Sequence, residues 1–332
     1  MNITILGSGA WGTALANLLC ENGHSVTLWN RDPLRISNME KTGGNPRLAG
    51  VKLHKNMRFS SCPDCVAQGD MVVFVTPSFA IRETARLVRP YLRTNAILVS
   101  ATKGIEAETG LRMTEIIEEE TGMQAAALSG PSHAEEVSRG IPTGCVAACA
   151  DASVAQRIQD AFMNETFRVY ASVDVLGVEL SAAMKNVIAL CAGVCDGLGL
   201  GDNTKALLVT RGLTELARLG VALGGRTETF AGLAGVGDMI VTCTSMHSRN
   251  RQAGILIGQG VPVEQAMERV GAVVEGYYAA KSAYQLSCRS GVDMPICREA
   301  YAVLYEGKAP LDTIQALMGR NKCFEFEDAG WT

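Results

Sequence analysis

The chain has 332 residues, of which 47% are hydrophobic and 19% are charged, and its formal net charge is −4. This composition is typical of a globular protein and excludes a disordered one, and the length predicts two domains of about 100–200 residues each. The chain has no basic run that could neutralise a phosphate backbone, which argues against nucleic acid as a partner. We therefore expect a small-molecule ligand, and an anionic one would be bound by a few local cations.

The cysteine usage and the N-terminal segment bear on localisation and on metal binding. Eleven cysteines without framework spacing, and no charged segment ahead of the first apolar run, predict a protein of the reducing cytoplasm. Cys62 and Cys65 form C-x-x-C, and a redox or metal-binding function of this pair remains an alternative. No second Cys or His pair at zinc spacing accompanies them, so we predict no metal site. No run of 18 apolar residues occurs, so we predict no membrane span.

The first half of the chain alternates strand-like and helix-like segments. The strand-like segments are continuous apolar runs, which are typical of strands buried on both faces of a parallel sheet. The alternation predicts βαβ units and a doubly wound α/β domain over residues 1–172. The predicted strands are 3–6, 25–29, 71–76, 96–101 and 125–130.

The second half has a different pattern. Residues 174–198 are apolar nearly all round, which predicts a buried central helix. No strong strand pattern follows Ser172, so we predict an all-α domain over residues 173–332. Its further predicted helices are 205–219, 253–259, 262–270, 277–287 and 296–305.

A glycine motif opens the chain. Gly7, Gly9 and Gly12 form G-x-G-x-x-G between a predicted strand and a predicted helix. In a dinucleotide-binding site the first glycine permits the turn, the second lets the backbone approach the pyrophosphate, and the third lets helix pack on strand. The alternative is an ordinary glycine-rich turn, but the strand–turn–helix context favours a Rossmann-type fold that binds NADP or NAD.

The residues after the second strand bear on the choice of cofactor. Asp32 lies 20 residues after Gly12, the spacing of an acid that binds the ribose of NAD. Asp32 is also followed by Pro33, a pattern typical of a helix N-cap, and we prefer this interpretation. Arg31 at the strand tip can pair with a 2′-phosphate, which favours the use of NADP.

Two charged residues of the second half lack an obvious partner. Lys185 has no acidic neighbour one helical turn away, and a buried ammonium without a partner is costly. Either it pairs with a distant carboxylate or faces a site, where burial would make it a usable proton donor, or it is a structural lysine whose amine reaches solvent. Asp238 is a candidate partner; its alternative role is a helix cap after Gly237.

Further polar residues lie where ligands bind. Lys103 and residues 130–132 each follow a predicted parallel strand, and ligands bind beyond the carboxyl ends of such strands. Solvated turn residues are the alternative. The segment 248–251, SRNR, precedes a predicted helix, and a helix start with arginines can bind a phosphate. A solvated basic turn capped by Ser248 is the alternative there.

Several blocks of sequence together resemble the NAD(P)-dependent glycerol-3-phosphate dehydrogenases, over nearly the whole chain. Blocks of this length and order are more specific than a single glycine motif. They are GSGAWGTA (7–14), SATKGIE (100–106), SGPSHAEEV (129–137), AAMKNVIAL (182–190), GLGDNTKA (199–206), AGVGDMIVTC (234–243), SRNR (248–251) and VVEGY (273–277).

The resemblance implies roles for individual residues. Lys185 would be the proton donor and acceptor, with Lys103 and Asp238 as the other catalytic residues. The implied substrate contacts are Lys103, Gly130, Ser132, Lys185, Asn186, Asp238, Thr242, Ser248, Arg249 and Asn250. In addition to Gly7, Gly9 and Gly12 of the glycine motif, the implied cofactor contacts are Trp11, Arg31, Lys103, Ala134, Arg249, Val273 and Glu275.

The resemblance also implies a biological setting, and two rival functions differ from it. It implies a cytoplasmic homodimer that interconverts dihydroxyacetone phosphate and glycerol 3-phosphate for phospholipid synthesis. One rival is a dehydrogenase of the same architecture acting on a hydroxy acid or keto acid, for which the SRNR segment would be idle. The other is a nucleotide-sensing protein without turnover, which would not need Lys103, Lys185 and Asp238 together.

Overall fold

The computed structural model describes residues 1–322, 324 and 325. The chain forms two compact units: the first comprises Met1–Thr102 and Met113–Val175, and the second comprises Lys103–Arg112 and the chain from Leu176 onwards. The domain boundary after residue 172 stays a prediction, and the last residues of the predicted domain 173–332 lie outside the described residues.

The first unit is built on one eight-stranded sheet of order β3-β2-β1-β4-β5-β6-β7-β8. The order reverses direction between β1 and β4, and open α/β sheets bind ligands at the carboxyl ends of the strands at such a point. The strands are β1 (Asn2–Leu6), β2 (Ser25–Trp29), β3 (Arg58–Ser60), β4 (Met71–Phe74), β5 (Ile97–Ser100), β6 (Ala125–Ser129), β7 (Thr143–Ala148) and β8 (Phe167–Ser172).

The predicted strands are confirmed, with small differences at their ends. Every residue of β4, β5 and β6 is buried, as their continuous apolar runs predict. The predicted doubly wound parallel sheet is confirmed for the pairings of β1 to β6 and of β7 with β8, while β7 pairs antiparallel with β6. The sequence patterns also missed β3, β7 and β8. These strands are short or partly exposed, so they lack the continuous apolar run of a central strand.

The helices of the described residues fall into two groups along the chain. Those of the first unit are α1 (Ala10–Glu21), α2 (Pro33–Thr42), α3 (Ile81–Val88), α4 (Met113–Thr121), α5 (Ala134–Val137) and α6 (Ala152–Phe162). Then follow α7 (Val175–Gly197), α8 (Asp202–Ala222), α9 (Thr227–Ala231), α10 (Asp238–Thr244), α11 (Arg249–Gly258), α12 (Val263–Val270), α13 (Glu275–Ser290), α14 (Pro295–Tyr305) and α15 (Pro310–Met318). No strand is found among the described residues after β8, so the second unit is helical.

The central helix of the second unit is α7, as its apolar sequence predicts. It is long and apolar enough to cross a membrane, but 83% of its most apolar stretch is buried inside the protein, as in the core helix of a globular domain. Glycines let α11 approach it closely, since a Cβ at Gly193 would overlap the carbonyl of Arg251 and one at Gly254 that of Leu190. The glycine content thus serves close backbone packing.

The segment Lys103–Arg112 follows β5 but belongs to the helical unit. Arg112 Nη1 pairs with Glu179 Oε2 on α7 at 2.6 Å, and Ser282 Oγ on α13 donates to the carbonyl of Ile105 at 3.1 Å. These contacts hold the segment against helices that lie far along the chain, and with it the side chain of Lys103.

Candidate active site

The glycine turn between β1 and α1 has the geometry that its motif predicts. Gly7 has φ +123°, a conformation that side chains rarely adopt, and a Cβ there would lie 2.6 Å from the carbonyl oxygen of Val75. A Cβ on Gly12 would overlap the carbonyl of Gly7, so only glycine lets the helix pack here. A Cβ on Gly9 meets no heavy atom within 4 Å. The backbone at Gly9 is therefore open to a ligand.

The start of α1 fits the pyrophosphate of a dinucleotide. Gly9 is its N-cap, and no side chain caps the helix there, so the positive end of the helix dipole is offered to an anion. The indole nitrogen of Trp11 is buried and has no hydrogen-bond partner among the described residues. An unpaired buried donor of this kind is costly unless a ligand satisfies it.

The tip of β2 confirms the interpretation of Asp32 as a cap. Its carboxylate accepts hydrogen bonds from the backbone N–H groups of Leu34 at 3.0 Å and Arg35 at 3.3 Å, and Pro33 is the first residue of α2. Arg31 is exposed at this tip and pairs with Glu83 on α3 at 3.3 Å. Its predicted cofactor contact remains a prediction.

Three side chains hold Ser8 in the glycine turn, and the sequence patterns missed all of them. Asn30 Nδ2 donates to Ser8 Oγ at 2.8 Å. Arg35 Nη2 and Asn45 Nδ2 both donate to the carbonyl oxygen of Ser8, at 2.9 and 3.2 Å. Nothing in the spacing of these polar residues indicates that they converge. An Asn directly at the tip of the second strand is the one signal that could have pointed to the turn.

The turn after β6 contains three predicted site residues of the first unit. Gly130 has φ +157°, and a Cβ there would lie 2.8 Å from the backbone of Cys145, so glycine is required. Ser132 Oγ donates to the carbonyl of Gly130 at 3.0 Å, and Ala134 begins α5. The local backbone is therefore tightly fixed, while the ligand contacts of these residues remain predictions.

The second unit brings the three predicted catalytic residues together. Lys185 Nζ on α7 lies 2.5 Å from Asp238 Oδ1, and Lys103 Nζ lies 2.8 Å from Asp238 Oδ2. Lys185 also donates to Thr242 Oγ1 at 2.6 Å. Of the alternatives open for Lys185, pairing with a distant carboxylate is confirmed, and the carboxylate is that of Asp238.

The position of Asp238 explains why it can serve both lysines. A π-helical stretch, Leu233–Gly237, leads into α10, of which Asp238 is the first residue. Its carboxylate does not cap the helix, so the alternative role as a cap is wrong. Thr242, one turn later, donates to the carbonyl of Asp238 at 2.6 Å, which keeps its hydroxyl beside the lysine. Irregular π turns of this kind are frequent at functional sites.

Burial and charge set the protonation of this cluster. Burial lowers the pKa of Lys185 to about 8, opposed by the charge of Asp238 and reinforced by that of Lys103. Burial raises the pKa of Asp238, but the two lysines outweigh this effect and hold it below its ordinary value. Asp238 is thus a carboxylate, and Lys185 can gain and lose a proton near neutral pH.

Among the residues of the SRNR segment, Arg249 is the one available to an anion. Ser248 caps α11 by accepting from the backbone N–H of Arg251 at 3.3 Å, as one alternative predicted. Arg251 pairs with Asp196 at 2.7 Å, and that carboxylate also binds Lys205. Arg249 is exposed and forms no ion pair with any described residue.

The other polar residues of α11 and α13 fix one another. Asn250 Nδ2 donates to Asn186 Oδ1 on α7 at 2.9 Å, and its Oδ1 accepts from the backbone N–H of Gly276 at 2.8 Å. The predicted cofactor contacts Val273 and Glu275 lie directly before and at the start of α13, both partly buried. Asn250 therefore ties the starts of α11 and α13 to α7.

The C-x-x-C motif has no feature of a reactive pair. Cys62 precedes a short 3-10 helix that contains Cys65, and neither forms a disulfide. Burial raises the pKa of Cys65 to about 11, which keeps it a thiol. Within the described part of the chain, no group of three His, Cys, Asp or Glu side chains is placed to hold a metal ion.

Comparison with known proteins places this arrangement in a family. The family model for the NAD-dependent glycerol-3-phosphate dehydrogenase N-terminus matches residues 2–155, and that for the C-terminus of the same enzymes matches residues 174–315. The chain belongs to the NAD-dependent glycerol-3-phosphate dehydrogenase family. Family membership and the two-unit fold agree with the resemblance seen in the sequence.

Individual relatives match over almost their whole length. The chain is 50% identical to glycerol-3-phosphate dehydrogenase [NAD(P)+] of Moorella thermoacetica over 332 residues, covering 99% of each chain. It is 49% identical to the enzyme of the same name from Thermoanaerobacter sp. strain X514, covering 98% of this chain and 99% of that one. The crystal structure of glycerol-3-phosphate dehydrogenase from Coxiella burnetii matches with a TM-score of 0.93 at 34% identity, over 96% and 99% of the two chains.

Proposed function

We propose that the chain interconverts dihydroxyacetone phosphate and glycerol 3-phosphate with NADP or NAD as cofactor. The observation that carries the proposal is the buried cluster in which Asp238 holds Lys103 and Lys185. A nucleotide sensor without turnover has no need to hold two ammonium groups around one buried carboxylate. Family membership adds the substrate class.

The cluster supplies the proton chemistry of this reaction. When bound, the nicotinamide supplies or accepts the hydride at C2 of the substrate. Lys185 Nζ, ionised at neutral pH, donates its proton to the C2 oxygen in reduction and takes it back in oxidation. Lys103 polarises that oxygen, and Asp238 orients both amines. General acid catalysis of this kind contributes about 10²–10⁴-fold in rate.

The phosphate of the substrate is assigned to Arg249. Its guanidinium is exposed at the start of α11, where helix dipole and charge act together on an anion. Ser248 and Asn250 fix this helix start. Asn186 accepts a hydrogen bond from Asn250, and Thr242 accepts one from Lys185. The contacts of Gly130 and Ser132 to substrate stay predictions from the family resemblance.

The cofactor is proposed to bind at the glycine turn. Gly9 is open to the pyrophosphate and Trp11 offers an unpaired indole N–H, while Arg31 lies at the strand tip. Since Asp32 caps α2, it is not free to select against a 2′-phosphate. We therefore expect NADPH to be accepted at least as well as NADH.

The proposal is tested by cofactor oxidation. Purified protein should oxidise NADPH or NADH when dihydroxyacetone phosphate is added, and not when a keto acid replaces it. If the protein bound the cofactor but oxidised it with none of these substrates, the result would support the sensor function and contradict the proposal.

The finer biological setting follows from the family alone. We propose a homodimer in the cytoplasm that supplies glycerol 3-phosphate for phospholipid synthesis. Light scattering after size-exclusion chromatography gives the oligomeric state. Loss of phospholipid labelling on deletion of the gene, restored by added glycerol 3-phosphate, tests the role.

A further inference from the structure

Three arginines near the tip of β2 differ in what their guanidinium groups contact. Arg31 pairs with Glu83, and 70% of its side chain is exposed. The guanidinium of Arg35 donates to the carbonyl of Ser8 at 2.9 Å and is therefore fixed beside the glycine turn. Arg47 is exposed. Neither Arg35 nor Arg47 has an ion-pair partner among the described residues, so two of the three positive charges are uncompensated.

Arg47 is tied to the same turn as Arg35. Its backbone N–H donates to Asn45 Oδ1 at 3.0 Å, and Asn45 Nδ2 donates at 3.2 Å to the carbonyl oxygen of Ser8 that Arg35 also binds. Partial burial and the charge of Arg47 both lower the pKa of Arg35, and the charge of Asp32 opposes them. Asp32 offsets only part of this repulsion, because its carboxylate accepts backbone hydrogen bonds at the start of α2 and forms no ion pair with either arginine. Two neighbouring cations without an ion-pair partner destabilise the folded state unless an anion binds to both.

The position of the pair identifies the anion. Ser8 lies inside the turn that a pyrophosphate approaches. Arg35 lies in the first turn of α2, which follows the tip of β2, where the adenosine ribose of a dinucleotide lies. An anion that lies between the glycine turn and the tip of β2 is a phosphate on that ribose. We propose that Arg35 and Arg47 bind the 2′-phosphate of NADP and set the preference for NADP over NAD.

This inference rests on the proposed use of a nicotinamide cofactor and assigns the choice between its two forms. Arg35 contributes a guanidinium held in place by Ser8, so little conformational entropy is lost when the phosphate binds. Arg31 has the smaller effect, since its charge is engaged by Glu83 and its side chain is largely in solvent.

The test uses adenosine fragments in place of the whole cofactor, so that binding is read without turnover. Calorimetry gives the Kd of adenosine 2′,5′-bisphosphate, 5′-AMP and 5′-ADP for the wild type and for Arg35→Ala, Arg47→Ala and Arg31→Ala. Lys41→Ala, which removes an exposed charge from the other end of α2, is the matched control. A thermal melt of each variant checks that it folds.

We expect Arg35→Ala to weaken the 2′,5′-bisphosphate by at least about tenfold, the effect of a charge-assisted hydrogen bond, and to change the 5′-AMP and 5′-ADP affinities by less than about twofold. Arg47→Ala should act in the same direction with a smaller loss, and Arg35→Lys should lie between wild type and Arg35→Ala. Lys41→Ala should leave all three affinities unchanged.

Three results would overturn the inference. An equal loss for all fragments in Arg35→Ala would show that Arg35 only supports the glycine turn. A loss confined to 5′-ADP would assign the pair to the pyrophosphate, and unchanged affinities would exclude a role. Fragment binding as expected, together with no oxidation of cofactor by dihydroxyacetone phosphate, would contradict the proposed function and leave this assignment intact.

Discussion

The glycine turn of the first unit and the lysine–aspartate cluster of the second are built in opposite ways. The turn uses six consecutive residues, from Gly7 to Gly12, and acts through backbone geometry. The cluster joins side chains as far apart as Lys103 and Asp238, 135 residues along the chain, and acts through buried charge. Local backbone geometry can therefore be inferred from spacing, whereas a buried charge cluster must be inferred from residues that lack local partners.

The largest effect is expected when the charge cluster loses its proton donor. Lys185→Ala should lower kcat by at least about 10²-fold, the contribution of general acid catalysis, while the Kd of the cofactor changes little. The fold should survive, because Asp238 keeps Lys103 as its partner at 2.8 Å. Steady-state kinetics and cofactor titration measure the two quantities.

A matched lysine separates this effect from loss of charge in general. Lys281→Ala removes an exposed lysine from α13 and should leave kcat unchanged. If Lys185→Ala kept even a tenth of the wild-type kcat, Lys185 would not be the proton donor.

A smaller effect is expected at the phosphate-binding helix start. Arg249→Ala should raise KM for dihydroxyacetone phosphate by about 10- to 100-fold, since hydrogen bonds to charged groups contribute about 1.5–3 kcal/mol. The phosphate-free analogue dihydroxyacetone should be affected far less. Equal losses for both substrates would show that Arg249 does not bind the phosphate.

The glycine turn can be tested without disturbing the fold. Gly9→Ala should leave the melting temperature close to that of the wild type, because its Cβ meets no protein atom within 4 Å. The same Cβ points into the space assigned to the pyrophosphate, so cofactor affinity should fall by about tenfold or more. Gly44→Ala, also without neighbours for its Cβ, is the control. Unchanged cofactor affinity in Gly9→Ala would place the pyrophosphate elsewhere.

The same contrast explains what the sequence could predict. The central strands, α7 and the Asp32 cap follow from apolar runs and from residue types with a fixed local role. The pairing of Lys185 with Asp238 could be inferred because each lacks a local partner. The antiparallel β7 and the contact of Arg35 with Ser8 could not, since both depend on how distant segments meet, for which a single sequence carries no periodic signal.

The smallest expected effect is a shift in pH dependence, which tests whether the charges of the cluster act on one another. Reduction needs protonated Lys185 and oxidation needs the neutral amine. Because burial brings its pKa to about 8, kcat/KM for reduction should fall as the pH rises through about 8, and that for oxidation should rise over the same interval. Lys103→Met removes a positive charge and leaves the carboxylate of Asp238 to Lys185 alone. Both changes favour the charged amine, so both profiles should move to higher pH, by about one unit or more.

Lys103→Arg keeps the charge and separates its effect from that of side-chain shape. The inflection of this variant should lie closer to the wild-type position than that of Lys103→Met, even if both variants are slower. An identical inflection in the wild type and in Lys103→Met would mean that the charge of Lys103 does not reach Lys185. In that case burial and Asp238 would set the pKa by themselves, and Lys103 would act on the substrate oxygen alone.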